Sequence, residues 1–307
     1  MSLMSQSINL YNQLANHKLF NKTINFNLKR IQLALSKLNH PERKLYNVIQ
    51  VIGSDGKFSV LRALRFFIEE NKQTVSTHVS PSITDIRERF WMGDRYLTHR
   101  EIKKTIKKIE KLKIPLTIYE VLTLVFIINA SNKNTDYVIQ EAGCLWKLDS
   151  NNVIDFPLMQ IIVNINKQHL NFLKIKTINE VINQKVGYLS NFTNIYVGKQ
   201  KKSVLKKIKK KLKKNKSNIK FSNNWKLIKK KNNFFYKDKN IKLKLNTKYI
   251  HSKGLLENLC LAIQIALDLK IEKNIILKTI PKIYYRARID YLKKGKLANN
   301  LYNNEKI

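Results

Sequence analysis

At 307 residues, 43% of them hydrophobic, the chain has room for one large domain or two small ones with a full core, and no apolar run approaches membrane-spanning length. Cys144 and Cys260 lie far apart without metal-like spacing, which excludes a disulfide framework and reads as reduced thiols in a cytoplasmic protein. The net charge of +38 is mostly lysine in a sequence also crowded with Asn and Ile, the bias of an AT-rich genome, and neither aromatic RNA-binding signatures nor a recognition-helix motif appears; nucleic acid is not expected as the primary partner.

Residues 1–45 read as helical, with apolar positions in INLYNQLANHKLF and LKRIQLALSKL, and the opening MSLMSQSINLYNQ lacks the basic segment and apolar core of a secretion signal. The stretch Tyr46 to Val60, YNVIQVIGSDGKFSV, organises the rest of the chain. A short Val/Ile-rich run bounded by a glycine reads as a buried parallel strand, and Gly53, Ser54, Asp55, Gly56, Lys57, Phe58 and Ser59 then lead into the helix-like LRALRFFIEEN. Strand, glycine-bounded turn with lysine and hydroxyl, and helix together make a phosphate loop. Glycines let backbone N–H groups close on phosphate oxygens, and the helix N-terminus adds its positive end. Lys57 would neutralise phosphate charge, and Ser59 can reach a magnesium ion. The spacing is shorter than in G-x-x-x-x-G-K-[ST], so a plain strand-to-helix turn with a solvated Lys57 stays open on these residues alone.

TVSTHV (74–79) reads as a second strand, followed by the turn Ser80-Pro81-Ser82-Ile83. Thr98 with Glu101, and Thr117 with Glu120, are capping-box patterns ahead of two helices. DYVIQE (136–141), MQIIVNI (159–165) and NIYVG (194–198) read as strands, with a helix from Thr177 carrying Lys185. Strands alternating with helices predict a mainly parallel sheet covered on both faces, with its ligand at the carboxyl ends of the strands. KKSVLKKIKKKLKKNK reads as a basic amphipathic helix with a solvated face, and 215–250 as a small antiparallel section; helices in GLLENLCLAIQIALDL and NIILKTI come next, with YYRARIDYLKKGK as a closing strand and turn.

Three residues fall at strand ends after the phosphate loop: Ser80, Glu141 and His169. Hydroxyl, carboxylate and imidazole converging beside nucleotide phosphates could hold magnesium, the imidazole being the least usual donor. Each also has an ordinary reading, as a turn hydroxyl, an exposed strand end and a loop histidine. Glu120 could contact substrate, but its capping-box position explains it equally well.

In this order these residues resemble the folylpolyglutamate synthase and dihydrofolate synthase family of the Mur ligase superfamily, from about residue 40 onward. The family's Gly-Thr-Asn-Gly-Lys-Gly-Ser loop is similar to Gly53 through Ser59, its Ser-Pro-His-Leu turn and Glu-Arg to Ser80 through Ile83 and Glu88-Arg89, and its Phe-Glu-x-x-Thr to Tyr119 through Thr123. Its signature Glu-Val-Gly-Leu-Gly-Gly-Arg-Leu-Asp-Ala-Thr-Asn-Val is similar to Glu141 through Val153, its Asp-His to Gln168-His169, and its Glu-Lys-Ala-Gly to Gln184 through Gly187. Asn258 matches the family asparagine beside the adenine, and Arg288 its phosphate-facing arginine.

The resemblance implies a three-layer α/β P-loop domain of the Mur ligase type over 46–300, with residues 1–45 packed on it as a helical segment. It implies that Gly53 through Ser59 bind ATP, that Ser80, Glu141 and His169 bind two magnesium ions, and that Lys185 is carbamylated. Lys57, Glu141, His169 and Lys185 would carry catalysis. The implied reaction adds L-glutamate to dihydropteroate or a reduced folate through an acyl phosphate, in a monomer.

Departures from the pattern are Asp55 for asparagine, Phe58 for glycine, Ser82 for histidine, Gln168 for aspartate, Gln184 for glutamate, and Leu145-Trp146-Lys147 for Gly-Gly-Arg. Asp55 adds negative charge near the phosphates, and Trp146 with Lys147 puts the family's substrate-loop contacts in doubt. The family also has a smaller C-terminal α/β domain opened by Leu-Asp-Gly-Ala-His-Asn, and residues 301–307 stand about where it should begin. A nucleotide-binding protein that has lost ligation is the alternative.

Overall fold

The computed structural model describes residues 3–20, 26–168, 170, 175–250 and 252–285. Helices α1 (Leu3–Ala15) and α2 (Leu28–Lys37) precede strand β1 (Val48–Ile52), helix α3 (Lys57–Glu70) and strands β2 (Val75–His78) and β3 (Phe90–Met92). Next come α4 (His99–Glu110), α5 (Ile118–Lys133), β4 (Tyr137–Glu141), β5 (Met159–Ile162), α6 (Ile178–Val186) and β6 (Asn194–Val197). After α7 (Lys202–Leu212) come β7 (Asn218–Phe221), β8 (Lys226–Lys230), β9 (Asn233–Lys237) and β10 (Lys242–Leu245), then α8 (Lys253–Asp268) and α9 (Lys273–Thr279).

Helix starts obey local chemistry. Thr98, Thr117 and Thr177 each accept a backbone N–H three residues on, while Glu101, Glu120 and Glu180 bond back to the caps, closing capping boxes on α4, α5 and α6. The strands form a seven-stranded sheet in the order β3-β2-β4-β1-β5-β6-β7, parallel at each pairing except β2 with β3. Strand β1 pairs with β4 on one side and β5 on the other, so the chain changes direction across the sheet there. In a doubly covered parallel sheet such a point opens a crevice at the carboxyl ends of the strands.

Alternation along the strands sorts the core. Ile49 and Val51 of β1 join Ile139 and Ile161 beneath α3 and α8. Val48 and Val138 face the cluster built by α1, α2, α4 and α5, and Ile52 and Ile162 that of α6 and α7. The result is the three-layer α/β arrangement expected. On the face opposite α3, the buried Gln50, Gln140 and Gln160 stand in cross-strand register. Gln160 Nε2 donates to Gln50 Oε1 at 2.8 Å, Gln50 Nε2 to the Asn151 carbonyl at 3.0 Å, and the Ser190 N–H to Gln160 Oε1 at 2.8 Å.

Three local readings change. Residues Asn218–Phe221, expected in the antiparallel section, form β7 and extend the main sheet in parallel, because Asn218 to Phe221 register against Asn194 to Val197. The antiparallel sheet is β8-β9-β10 alone, its buried Tyr236 and Leu243 packed into the cluster of α8. Strand β3 is an unanticipated antiparallel edge, three residues being too short to show alternation. Of the expected closing strand, Tyr284 and Tyr285 are irregular and the rest lies outside the described residues.

The N-terminal helices are tied in by polar contacts. Ser7 Oγ accepts the Ile86 N–H at 2.7 Å, and Arg89 Nε donates to the Tyr11 hydroxyl at 2.9 Å. Arg30 of α2 forks onto the buried Glu120, Nε to Oε2 at 3.1 Å and Nη2 to Oε1 at 3.0 Å. Removing the fork strands a carboxylate in a shielded place. Arg30→Met is expected to lower unfolding free energy by about 2 kcal/mol, measured by urea denaturation; a loss below about 0.5 kcal/mol would make this an ordinary surface pair.

Candidate active site

From Ile52 the backbone leaves a fully buried strand and enters α3 at Lys57, turning through Gly53 to Gly56. Both glycines have left-handed-side φ values, +149° and +90°. A Cβ on Gly53 would lie 2.4 Å from Val163 Cγ2, and one on Gly56 would lie 2.2 Å from Asn258 Nδ2. Only glycine fits either position. The free N–H groups at the start of α3 face a cavity of about 510 Å³ lined by the loop, Ser80, Glu141 and Asn258.

Lys57 is buried, and its ammonium donates to the Ser54 carbonyl at 3.2 Å and the Gly53 carbonyl at 3.4 Å, with Glu141 Oε1 at 3.9 Å. Ser59 Oγ donates to the Gly56 carbonyl at 2.8 Å and accepts from Asn258 Nδ2 at 2.8 Å, which fastens α8 to the loop. Phe58 is half-buried, packs against the core cluster that includes α8 and also lines the cavity, with the Arg62 guanidinium 5.8 Å from its ring centre.

Glu141, at the end of β4, is buried, and its Oε2 accepts the Ser80 N–H at 3.1 Å across from the end of β2. The Glu141 carbonyl accepts from Asn151 Nδ2 at 3.0 Å, and the same amide donates to the Tyr119 hydroxyl at 2.9 Å. Burial pushes the Tyr119 hydroxyl well above the ordinary phenol range, and its ring underlies Gly143, where a Cβ would lie 2.9 Å away. Ser80, Glu141 and Lys57 thus lie together beside the loop. His169 and Arg288 lie outside the described residues, and among the described ones no group of three His, Cys, Asp or Glu gathers as a metal site.

Lys185 reaches the underside of the loop from α6. Its ammonium donates to the Gly53 carbonyl at 2.7 Å and the Cys144 carbonyl at 2.5 Å. Burial, then the Lys57 charge, lowers its pKa to about 7, against the opposing pull of Cys144, Asp149 and Asp55. Asp149 accepts the Gly143 N–H at 2.7 Å and the Asn151 N–H at 3.0 Å, yet burial raises its pKa to about 6.

No protein-family model matches the chain. The dihydrofolate synthase/folylpolyglutamate synthase of Bacillus subtilis (strain 168) is 29% identical over 171 residues, covering 53% of this chain and 39% of that protein. Among solved structures, E. coli FolC in complex with DHPP and ADP superposes with a TM-score of 0.82 and 20% identity, over 95% of this chain and 69% of that one. A bifunctional folylpolyglutamate synthase/dihydrofolate synthase with Mn, AMPPNP and L-glutamate bound gives a TM-score of 0.78 at 18% identity, over 96% of this chain and 69% of that one. The chain spans less than half the length of the curated relatives it matches.

The chain is similar in sequence to dihydrofolate synthase/folylpolyglutamate synthases and shares the fold of the solved ones.

Its departures from the family pattern now have places. Trp146 is fully buried against α6 and α7, its Nε1 donating to the Tyr188 carbonyl at 3.2 Å, and Lys147 Nζ stands 4.7 Å over the Tyr188 ring. Neither lines the cavity beside the phosphate loop. Glu120 is engaged by Arg30 and the start of α5, so its structural reading accounts for it. Sequence reasoning missed the supports Asn151, Asn166 and His78. The last is buried and stacked between Phe90 and Phe126, its imidazole held neutral near a pKa of about 3 by burial, with Nδ1 3.4 Å from Asn151 Oδ1. These contacts join residues 10 to 112 positions apart, which no local pattern reveals.

Lys185 carries a pH signature. Its folded-state pKa of about 7 lies below the ordinary lysine value of 10.5, so between those values the unfolded chain binds the extra proton. Its contribution therefore makes stability rise with pH across that window, and the burial penalty is present in full below about pH 7. Lys185→Met is expected to flatten that rise in urea midpoints compared at pH 7 and pH 9.5; an undiminished rise would assign it to other groups.

Proposed function

We propose that this chain carries the ATP-binding part of a ligase that joins L-glutamate to dihydropteroate or a reduced folate. The convergence of Lys57, Glu141 and Ser80 on a glycine-only turn at the point where the sheet order reverses is the observation that carries the reading. The ADP and AMPPNP named for its structural neighbours support a nucleotide there.

Loop residues Gly53 to Ser59 would cradle the phosphates through backbone N–H groups, with Lys57 as counter-charge and Asn258 flanking the base. Gly56 leaves no side chain between the loop and Asn258, which lines the same cavity. Ser80 and Glu141 supply hard oxygens suited to magnesium, and His169 and Arg288 complete the proposed set. Bound magnesium would neutralise the charge that builds on the transferring phosphoryl group.

The terminal phosphoryl group passes to a carboxylate oxygen of the pteroate or folate, giving ADP and an acyl phosphate. The amino group of glutamate then attacks the acyl carbon, phosphate leaves, and an amide forms. No side-chain nucleophile is required, which matches a site built from positioning and charge. Lys185 has an amine whose neutral form is accessible near pH 7, as carbamylation by carbon dioxide requires. A monomer is the proposed state, and no helix among the described residues is long and apolar enough to cross a membrane.

ADP release from MgATP with dihydropteroate, with and without glutamate, tests the reading. Release should require glutamate and fall about 100-fold or more in Lys57→Ala. ATP binding without glutamate-dependent release would leave a nucleotide-binding protein that does not ligate.

A further inference from the structure

The phosphate loop is latched to the turn after β5. The Ser54 and Asp55 N–H groups donate to the Asn164 carbonyl at 2.8 and 3.3 Å, and the Asn166 N–H donates to Ser54 Oγ at 3.1 Å. The Asp55 carboxylate completes the latch, accepting from Gln168 Nε2 at 2.8 Å and from the Asn166 side-chain amide. Two neutral amides orient a carboxylate without cancelling its charge. The side chain is exposed and held at the rim of the cavity beside the loop. The two nearby ammonium groups, Lys57 and Lys185, are directed at the carbonyls of Gly53, Ser54 and Cys144.

Against the family pattern, the asparagine and the aspartate are here Asp55 and Gln168. The charge of the pair is conserved, but the carboxylate sits on the phosphate loop itself. A fixed anion there repels bare phosphates and attracts a cation carried by them.

We propose that Asp55 makes nucleotide binding at this loop conditional on a divalent cation. The proposal rests on the loop being the nucleotide site. Asp55 acts as a specificity determinant: it disfavours metal-free ADP and favours the magnesium complex, so the loop admits nucleotide together with its metal.

ADP binding measured calorimetrically in EDTA and in excess Mg2+ tests this on the full chain and on Asp55→Asn. The variant is isosteric and keeps an amide able to bond Asn166 or Gln168; an unchanged thermal midpoint establishes that it folds. Asp55→Asn is expected to bind metal-free ADP about tenfold more tightly and to lose a similar factor of the Mg2+ enhancement. Equal weakening with and without Mg2+ would make Asp55 a latch only and overturn the proposal, as would an unchanged enhancement. Failure of the unaltered chain to bind ADP even with Mg2+ would instead overturn the nucleotide reading of the loop, and this proposal with it.

Discussion

Everything at this site depends on how little room the backbone has between Gly53 and Gly56. The turn is closed on one side by Val163, just past β5, and on the other by Asn258 of α8, each near enough to forbid a methyl group. A strand end of the sheet and a helix packed on it therefore set the position of four residues. Glu141, Lys57 and Lys185 come to the loop from three different elements: Lys57 follows β1 itself, Glu141 ends the neighbouring β4, and Lys185 lies on the helix after the neighbouring β5.

Two lysines share the Gly53 carbonyl, at 2.7 Å for Lys185 and 3.4 Å for Lys57. Like charges so placed in a shielded pocket compete for ionisation. Burial decides the outcome, since Lys185 is the more deeply enclosed and is the one driven toward neutrality. Lys57 stands instead at the wall of the cavity. Two residues of the same type thereby acquire different chemistry from position alone.

Local signals were legible in the sequence and distant ones were not. The glycine-bounded turn after β1, the capping boxes at Thr98 and Thr117, and the alternation of strands with helices are encoded within a few residues, and all are found. The parallel placement of Asn218–Phe221 and the short β3 are decided by neighbours far along the chain. So are the burial of Trp146, which sequence alone read as a change at a substrate loop, and the bonding of Asp55 by Asn166 and Gln168. Arg288 enters only through the family resemblance, whereas His169 is also legible from its place after a strand.

The buried glutamines beneath the sheet have a consequence at its far end. Parallel strands of Val and Ile can slide past one another at little cost in apolar contact, whereas an amide pair bonds only in one alignment. The Gln160–Gln50 bond and its anchors at Asn151 and Ser190 act as a pin through β1 and β5. A one-residue slip would advance one strand tip by about 3.3 Å relative to the next. That is roughly the width of a hydrogen bond, enough to pull the loop latch out of engagement. The rim of the site is thus levelled by polar groups buried in the middle of the sheet.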